Sequence, residues 1–242
     1  MIRILIADDH AVVRQGLKQI LEDDDEINVV AEYANGTDAL NWLLKHDCDI
    51  ALIDIAMPGM NGIDLLKKLH KEKPQLPVLV LSIYAEDQYA VRLIKAGAAG
   101  YLTKECAPIA VVEAVRRVAS GKRYISPAVV EMLANEAGDL HEEFPHKTLS
   151  DREYQIFLLL ASARTATEIA NDLGLSVKTV STYRSRILEK MHLRNNSELM
   201  HYAIENYLVQ PSPPRSTGID NPKPGEQEPR NGKLFFRRLS KH

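Results

Sequence analysis

Three aspartates carry the clearest chemical signal in this chain. Asp8 and Asp9 stand directly after the apolar run "IRILIA", and Asp54 directly follows "DIALI". A lone acid after a strand is usually a helix cap, so it is the grouping of three that asks for an explanation. In an open parallel sheet the ligand crevice lies beyond the carboxyl ends of the strands, near the point where strand order reverses. Strands one and three are neighbours in the usual order for that class, so the three carboxylates converge and repel unless a hard cation sits between them. Magnesium fits best, and a carboxylate beside it suits phosphoryl transfer, with an aspartyl phosphate as product. Ser82 ends "VLVLS" and Lys104 follows strand five, which gives a hydroxyl and an ammonium at the same sheet edge, both able to grip phosphoryl oxygens. Tyr101 lies on strand five nearby. Taken singly, each residue has a plain structural use: helix cap for the acids and Ser82, solvated side chain for Lys104, packing for Tyr101. Their conjunction at successive strand ends, separated by 54 − 9 = 45, 82 − 54 = 28 and 104 − 82 = 22 residues, is what points to chemistry. His10 reads as a first-turn residue rather than a ligand.

The elements that must position these residues are visible as alternating periods. Apolar runs at "IRILIA", "INVVAEY", "DIALI", "VLVLS" and "GYL" alternate with helical-period stretches beginning near Ala11, Thr37, Gly62, Glu86 and Ala107. Strands apolar on both faces, separated by amphipathic helices, predict a doubly wound, five-stranded parallel (βα)5 sheet. "ADDH", "LIDIAMPGMNG", "VLVLS" and "GAAGYLTK" resemble the receiver domain of bacterial two-component response regulators, over residues 1–120. That resemblance implies that Asp54 accepts phosphate from a sensor histidine kinase. It also implies that Asp9 binds Mg2+ directly, Asp8 through water, and the Ala56 carbonyl adds a further ligand. Ser82 and Tyr101 would form the switch pair, and Lys104 would hold the phosphoryl group. Many receivers place proline after this lysine; here Glu105 follows.

Residues 121–148 read as a helical linker, with "SPAVVEMLANEA" as the helix and "GDLHEEFPHKT" as the loop. Beyond it, Ser150 with Glu153 and Thr165 with Glu168 fit the capping box, and Ser176 and Asn195 are good N-cap types, so four short helices follow. "TATEIANDLGLSVKTVSTYRSRILEKM" holds a helix, a turn at Gly174 and a second helix from Ser176, the spacing of a helix-turn-helix. On that second helix Lys178, Ser181, Thr182, Ser185 and Glu189 share a face opposite Val180 and Ile187. Residues 177–194 carry five cations against Glu189, a local +4 that suits phosphate pairing. The stretch 149–208 resembles the LuxR-type DNA-binding domain of the NarL/FixJ regulators. By position Lys178, Ser181, Thr182 and Ser185 are the groove candidates, with Tyr183, Arg184 and Arg186 nearer the DNA backbone and Thr179 completing the DNA-binding set. Two departures stand out: Ala163 where the family often has glycine, and Arg184 where it is often apolar.

Composition sets the remaining bounds. The chain has 242 residues, 45% hydrophobic and 26% charged, enough for one or two cores, and its net charge of −3 hides a gradient. Residues 1–120 balance at 13 − 18 = −5, and residues 209–242 at 7 − 3 = +4. The latter hold six of the chain's 12 prolines and read as a disordered, Pro-rich basic tail. Neither a signal peptide nor an apolar run of about 18 residues is seen, so the expectation is a cytoplasmic protein with no membrane partner. The two cysteines, Cys48 and Cys106, lack metal or disulfide spacing. The favoured reading is a non-enzymatic, phosphorylation-dependent transcriptional regulator, with a sensor histidine kinase and double-stranded DNA as partners, acting as a homodimer when phosphorylated. One alternative keeps both folds but makes the receiver a phosphate-independent interaction module. Another, a phosphatase of the haloacid dehalogenase type, needs D-x-D-x-[TV] after a strand. The nearest string here, "DCDIA", precedes strand three and lacks the final residue, and no P-loop signature is present.

Overall fold

The computed structural model describes residues 1–84, 86–106, 108–138 and 144–209. Its first part alternates β1 (Ile2–Ala7), α1 (Ala11–Glu22), β2 (Ile27–Tyr33), α2 (Gly36–Leu43), β3 (Ile50–Asp54), α3 (Gly62–Glu72), β4 (Val78–Ser82), α4 (Glu86–Lys95), β5 (Gly100–Thr103) and α5 (Pro108–Ala119). All strand pairs are parallel, in the order β2-β1-β3-β4-β5. Because successive side chains on a strand face opposite ways, β1 feeds two cores at once. Leu5 and Ala7 join the face covered by α2, α3 and α4, while Ile4 and Ile6 join the face under α1 and α5. Every residue of β3 and β4 is buried.

The helices lie where an apolar stripe can be covered. Helix α3 buries Ile63, Leu65, Leu66 and Leu69, each contributing roughly 1.5–3 kcal/mol of transfer free energy before entropy is subtracted. Its start is fixed by the Asn61 side chain, which accepts from the Asp64 backbone N–H at 2.8 Å. Gly62 follows because a Cβ there would lie 2.0 Å from the carbonyl oxygen of Asp54. The loop after β3 can therefore fold tightly back over the sheet edge.

Helix α6 (Pro127–Gly138) packs on α4. Among its described residues, the loop expected after it forms a 3-10 turn at Pro145–Thr148, where the fixed φ of Pro145 opens the turn and the Thr148 hydroxyl donates to the Pro145 carbonyl at 2.8 Å. Four helices follow: α7 (Asp151–Ala161), α8 (Ala166–Asp172), α9 (Val177–Lys190) and α10 (Asn196–Glu205). Both expected capping boxes form, and Ser176 and Asn195 cap α9 and α10. The turn between α8 and α9 passes through Gly174 at φ +61°. Ala163, just past α7, also sits at φ +59°, a left-handed position that favours glycine. Of the expected disordered tail, 209–242, Val209 is buried in the core, and residues 210–242 lie outside the described residues.

Candidate functional site

The sheet register brings the expected residues to one edge. Ala7 pairs with Ile53, so Asp8 and Asp54 leave adjacent strands at the same level, while Asp54 pairs with Leu81 and Ser82 with Thr103. Asp8 and Asp54 are buried, and Asp9 is half-buried. One ligand atom each from Asp8, Asp9, His10 and Asp54 lies within 4.8 Å of the others. Reasoning from sequence set His10 aside as a first-turn residue. It is one, as the N-cap of α1, but its Nδ1 also lies 2.7 Å from Asp9 Oδ1.

Lys104 Nζ sits 2.7 Å from Asp8 Oδ2 and 2.9 Å from Asp54 Oδ2. One ammonium against three carboxylates leaves the pocket short of positive charge, and its donors are hard oxygens, so the set fits a divalent cation. Burial pushes the Asp54 carboxyl up to about 6, with Lys104 opposing the shift and Asp8 adding to it. Burial works against the charge on Lys104, yet Asp54 and Asp8 outweigh it and raise the ammonium above its usual range. The backbone N–H of Ala56 also donates to Asp54. No cis peptide bond occurs among the described residues, including the one after Lys104.

Ser82 is fully buried, and its hydroxyl accepts from the Tyr84 N–H at 3.0 Å. The Tyr101 hydroxyl donates to the Tyr84 carbonyl at 2.7 Å. Tyr84 is therefore held by both expected switch residues, a role that sequence reasoning missed because nothing in its type or spacing marks it. From Tyr84 an aromatic seam runs onward: its ring lies 4.9 Å from Tyr89 on α4, which meets Tyr154 on α7 edge-on at 5.5 Å. Arg92 reinforces the seam, with Nε 2.7 Å from Asp151 and its guanidinium 4.7 Å from the Tyr154 ring centre. It also donates to the Leu149 carbonyl, and Lys67 on α3 pairs with the same Asp151.

On α9 the groove candidates Lys178, Ser181, Thr182 and Ser185 are exposed, and Thr179 is partly so. Their hydroxyls are turned inward: Ser181 donates to Val177 O, Thr182 to Lys178 O and Ser185 to Ser181 O. The cations divide into two groups. Arg186 is exposed, whereas Arg184 is half-buried and its Nε donates to Asn196 on α10 at 2.6 Å. Lys190 pairs with the buried Glu153 of the α7 cap at 2.6 Å, and Tyr183 is half-buried against the core. Among the described residues no helix is long and apolar enough to cross a membrane.

Sequence and structure comparisons agree with this architecture. Residues 4–116 match the response regulator receiver domain, and residues 147–203 match the bacterial regulatory proteins of the luxR family. The chain is 38% identical over 209 residues to the response regulator UvrY of Escherichia coli strain K12, covering 86% of this chain and 96% of that one. It is similar to RcsB from Salmonella enterica serovar Typhimurium bound to promoter rprA in the presence of phosphomimetic BeF3-, with a TM-score of 0.57, 28% identity and coverage of 84% and 98%. A structure of two RcsB dimers bound to two parallel DNAs gives a TM-score of 0.52 at 27% identity, covering 86% and 99%. The class so defined is the regulator built from a receiver and a helix-turn-helix. The chain belongs to the two-component response regulators with a LuxR-type DNA-binding domain. It is a transcription regulator of a two-component system rather than a catalytic enzyme.

Proposed function

We propose that Asp54 is the phosphoacceptor of this regulator and that its phosphorylation controls DNA binding through the α4–α7 seam. The single observation that carries this reading is the convergence of Asp8, Asp9, Asp54 and Lys104 at one sheet edge. An Asp54 oxygen attacks the phosphorus of a phosphohistidine on a sensor histidine kinase, forming the P–O bond as the P–N bond breaks. Lys104 balances charge on the phosphoryl oxygens, and the buried Ser82 hydroxyl supplies a donor once released from Tyr84. Asp8, Asp9, Asp54 and the Ala56 carbonyl would hold Mg2+, which neutralises charge on the transferred group.

A phosphoryl group brings about 1.5 to 2 negative charges. Drawing Ser82 toward that charge frees the Tyr84 N–H, and Tyr101 holds the Tyr84 carbonyl, so the two switch residues act on one backbone unit. Tyr89 and Tyr154 carry the change to α7, whose cap is tied through Glu153 to Lys190 at the end of α9. The working parts are a receiver at 1–120, a helical linker at 121–148, a DNA-binding domain at 149–208 and a basic tail at 209–242, in a cytoplasmic protein. Helix α9 enters the DNA major groove with Lys178, Thr179, Ser181, Thr182 and Ser185 toward the bases and Arg186 and Tyr183 toward the phosphates. DNA-bound dimers of the similar RcsB support a homodimer on two half-sites. Labelling by acetyl phosphate with Mg2+ tests the acceptor: the wild type takes up one phosphoryl group and Asp54→Asn none. Undiminished labelling of the variant puts the acceptor at another residue, and a wild type that takes no label favours the phosphate-independent interaction module instead.

A further inference from the structure

His10 is poorly explained by the local structure that holds it. It occupies the N-cap of α1 with extended backbone (φ −84°, ψ 106°), a position that favours Ser, Thr, Asp or Asn because their side chains accept from the first turn. The imidazole makes no such cap. The turn is shaped instead by Asp8, whose Oδ1 accepts from the His10 N–H at 2.8 Å. The ring is therefore not needed for capping. Its Nδ1 points back to the acids, 2.7 Å from Asp9 Oδ1 and 3.4 Å from Asp8 Oδ1, with the side chain 62% exposed.

Those distances match an edge of a coordination shell. An ion with bonds of about 2.1 Å sets adjacent ligand atoms about 3 Å apart and opposite ones about 4.2 Å apart. The donor atoms of Asp8, Asp9, His10 and Asp54 all lie within 4.8 Å of one another, a little wider than such a shell, so closing on an ion draws them together. Three carboxylates alone make a hard site. An added imidazole nitrogen moves the donor set toward ions higher in the Irving–Williams series.

We propose that His10 is a fourth side-chain ligand of the cation and gives this pocket a preference for a borderline divalent transition ion, such as Fe2+, Co2+ or Zn2+, over Mg2+. The inference rests on the reading of Asp8, Asp9 and Asp54 as a cation pocket. Mg2+ uses the oxygens alone, so the same pocket accepts it without His10. Coordination through Nδ1 leaves the ring proton on Nε2.

The test uses the full-length unphosphorylated chain with Co2+ and Mg2+ as probes, titrated calorimetrically and in competition, and proton spectra in water. Because the side chain is exposed, His10→Ala should keep the fold, checked by circular dichroism, and His10→Gln serves as a second variant. Both should bind Co2+ about 10- to 100-fold more weakly and Mg2+ within about twofold of wild type. The paramagnetically shifted Nε2–H signal of a cobalt-bound imidazole should appear in the wild type and vanish in both variants. An unchanged Co2+ to Mg2+ affinity ratio, or a shifted signal that survives the substitution, overturns the role of His10 and leaves the pocket standing. Failure of the wild type to bind either ion overturns the pocket and His10 together.

Discussion

The phosphoacceptor pocket and the recognition helix solve opposite problems in the same chain. The pocket has a buried floor: Asp8, Asp54 and Ser82 are buried, and strand register plus Lys104 fix their carboxylates and hydroxyl in advance. The reading face of α9 is wet, with Lys178, Ser181, Thr182 and Ser185 exposed and the hydroxyls bonded to their own helix. Burial makes each charge in the pocket costly and therefore sensitive to one proton or one phosphoryl group. Exposure makes each contact on α9 cheap until DNA supplies a partner. A regulator needs both: a site where a small covalent change has a large energy, and a surface that stays soluble until it binds.

The strongest way to sharpen that contrast is to remove the buried charge. Since the folded-state pKa of Asp54 is raised to about 6, the folded protein holds this proton more tightly than the unfolded chain. Asp54 therefore costs no stability below about pH 4, and its contribution is lost as pH rises through about 6. Without divalent ions, Asp54→Asn should match wild type near pH 4 and exceed it above pH 7 by up to roughly 3 kcal/mol, from two units at about 1.4 kcal/mol each. Urea midpoints at the two pH values check this, and a gap independent of pH breaks the comparison.

On the exposed side, Lys178→Ala with Ser181→Ala should weaken operator binding by about 1–3 kcal/mol while lowering affinity for random DNA much less. Equal losses on both DNAs would mean that this face touches only phosphates. The two arginines separate more finely. Arg186→Ala should reduce the slope of log affinity against log salt by about 1 and leave the melting temperature unchanged. Arg184→Ala should cost about 1 kcal/mol of stability, through the lost bond to Asn196, with a smaller change in salt slope. The smallest effect concerns Ala163: replacing it by glycine at φ +59° should stabilise the DNA-binding domain by about 0.5–1 kcal/mol in thermal unfolding.

Legibility in the sequence divides along the same line. Strand ends, cap residues and the glycine turn are local signals, so the order of elements, both capping boxes and the meeting of Asp8, Asp54 and Lys104 follow from spacing and period alone. Contacts between distant elements leave no such trace. Nothing near Tyr84, Tyr89 or Tyr154 announces that they stack, because each has an ordinary place on its own segment. Asp151 reads as a first-turn acid of α7, and its pairing with Lys67 and Arg92 depends on how α3, α4 and α7 meet. Arg184 is similar: its cationic type suggested phosphate, and only the packing of α10 reveals Asn196 as its partner. His10 is the reverse case, set aside by position although its ring nitrogen lies close to the three carboxylates in the folded chain.

The central claim is that Asp54, and no other side chain, takes the phosphoryl group in the pocket it shares with Asp8, Asp9 and Lys104. Borohydride reduction after incubation with acetyl phosphate and Mg2+ tests it most directly, since an acyl phosphate is converted to an alcohol at the acceptor and peptide mass spectrometry locates it. Homoserine at position 54, absent when Mg2+ is withheld, is the predicted result. Conversion at another aspartate, or none at position 54 despite uptake of phosphate, would contradict the account.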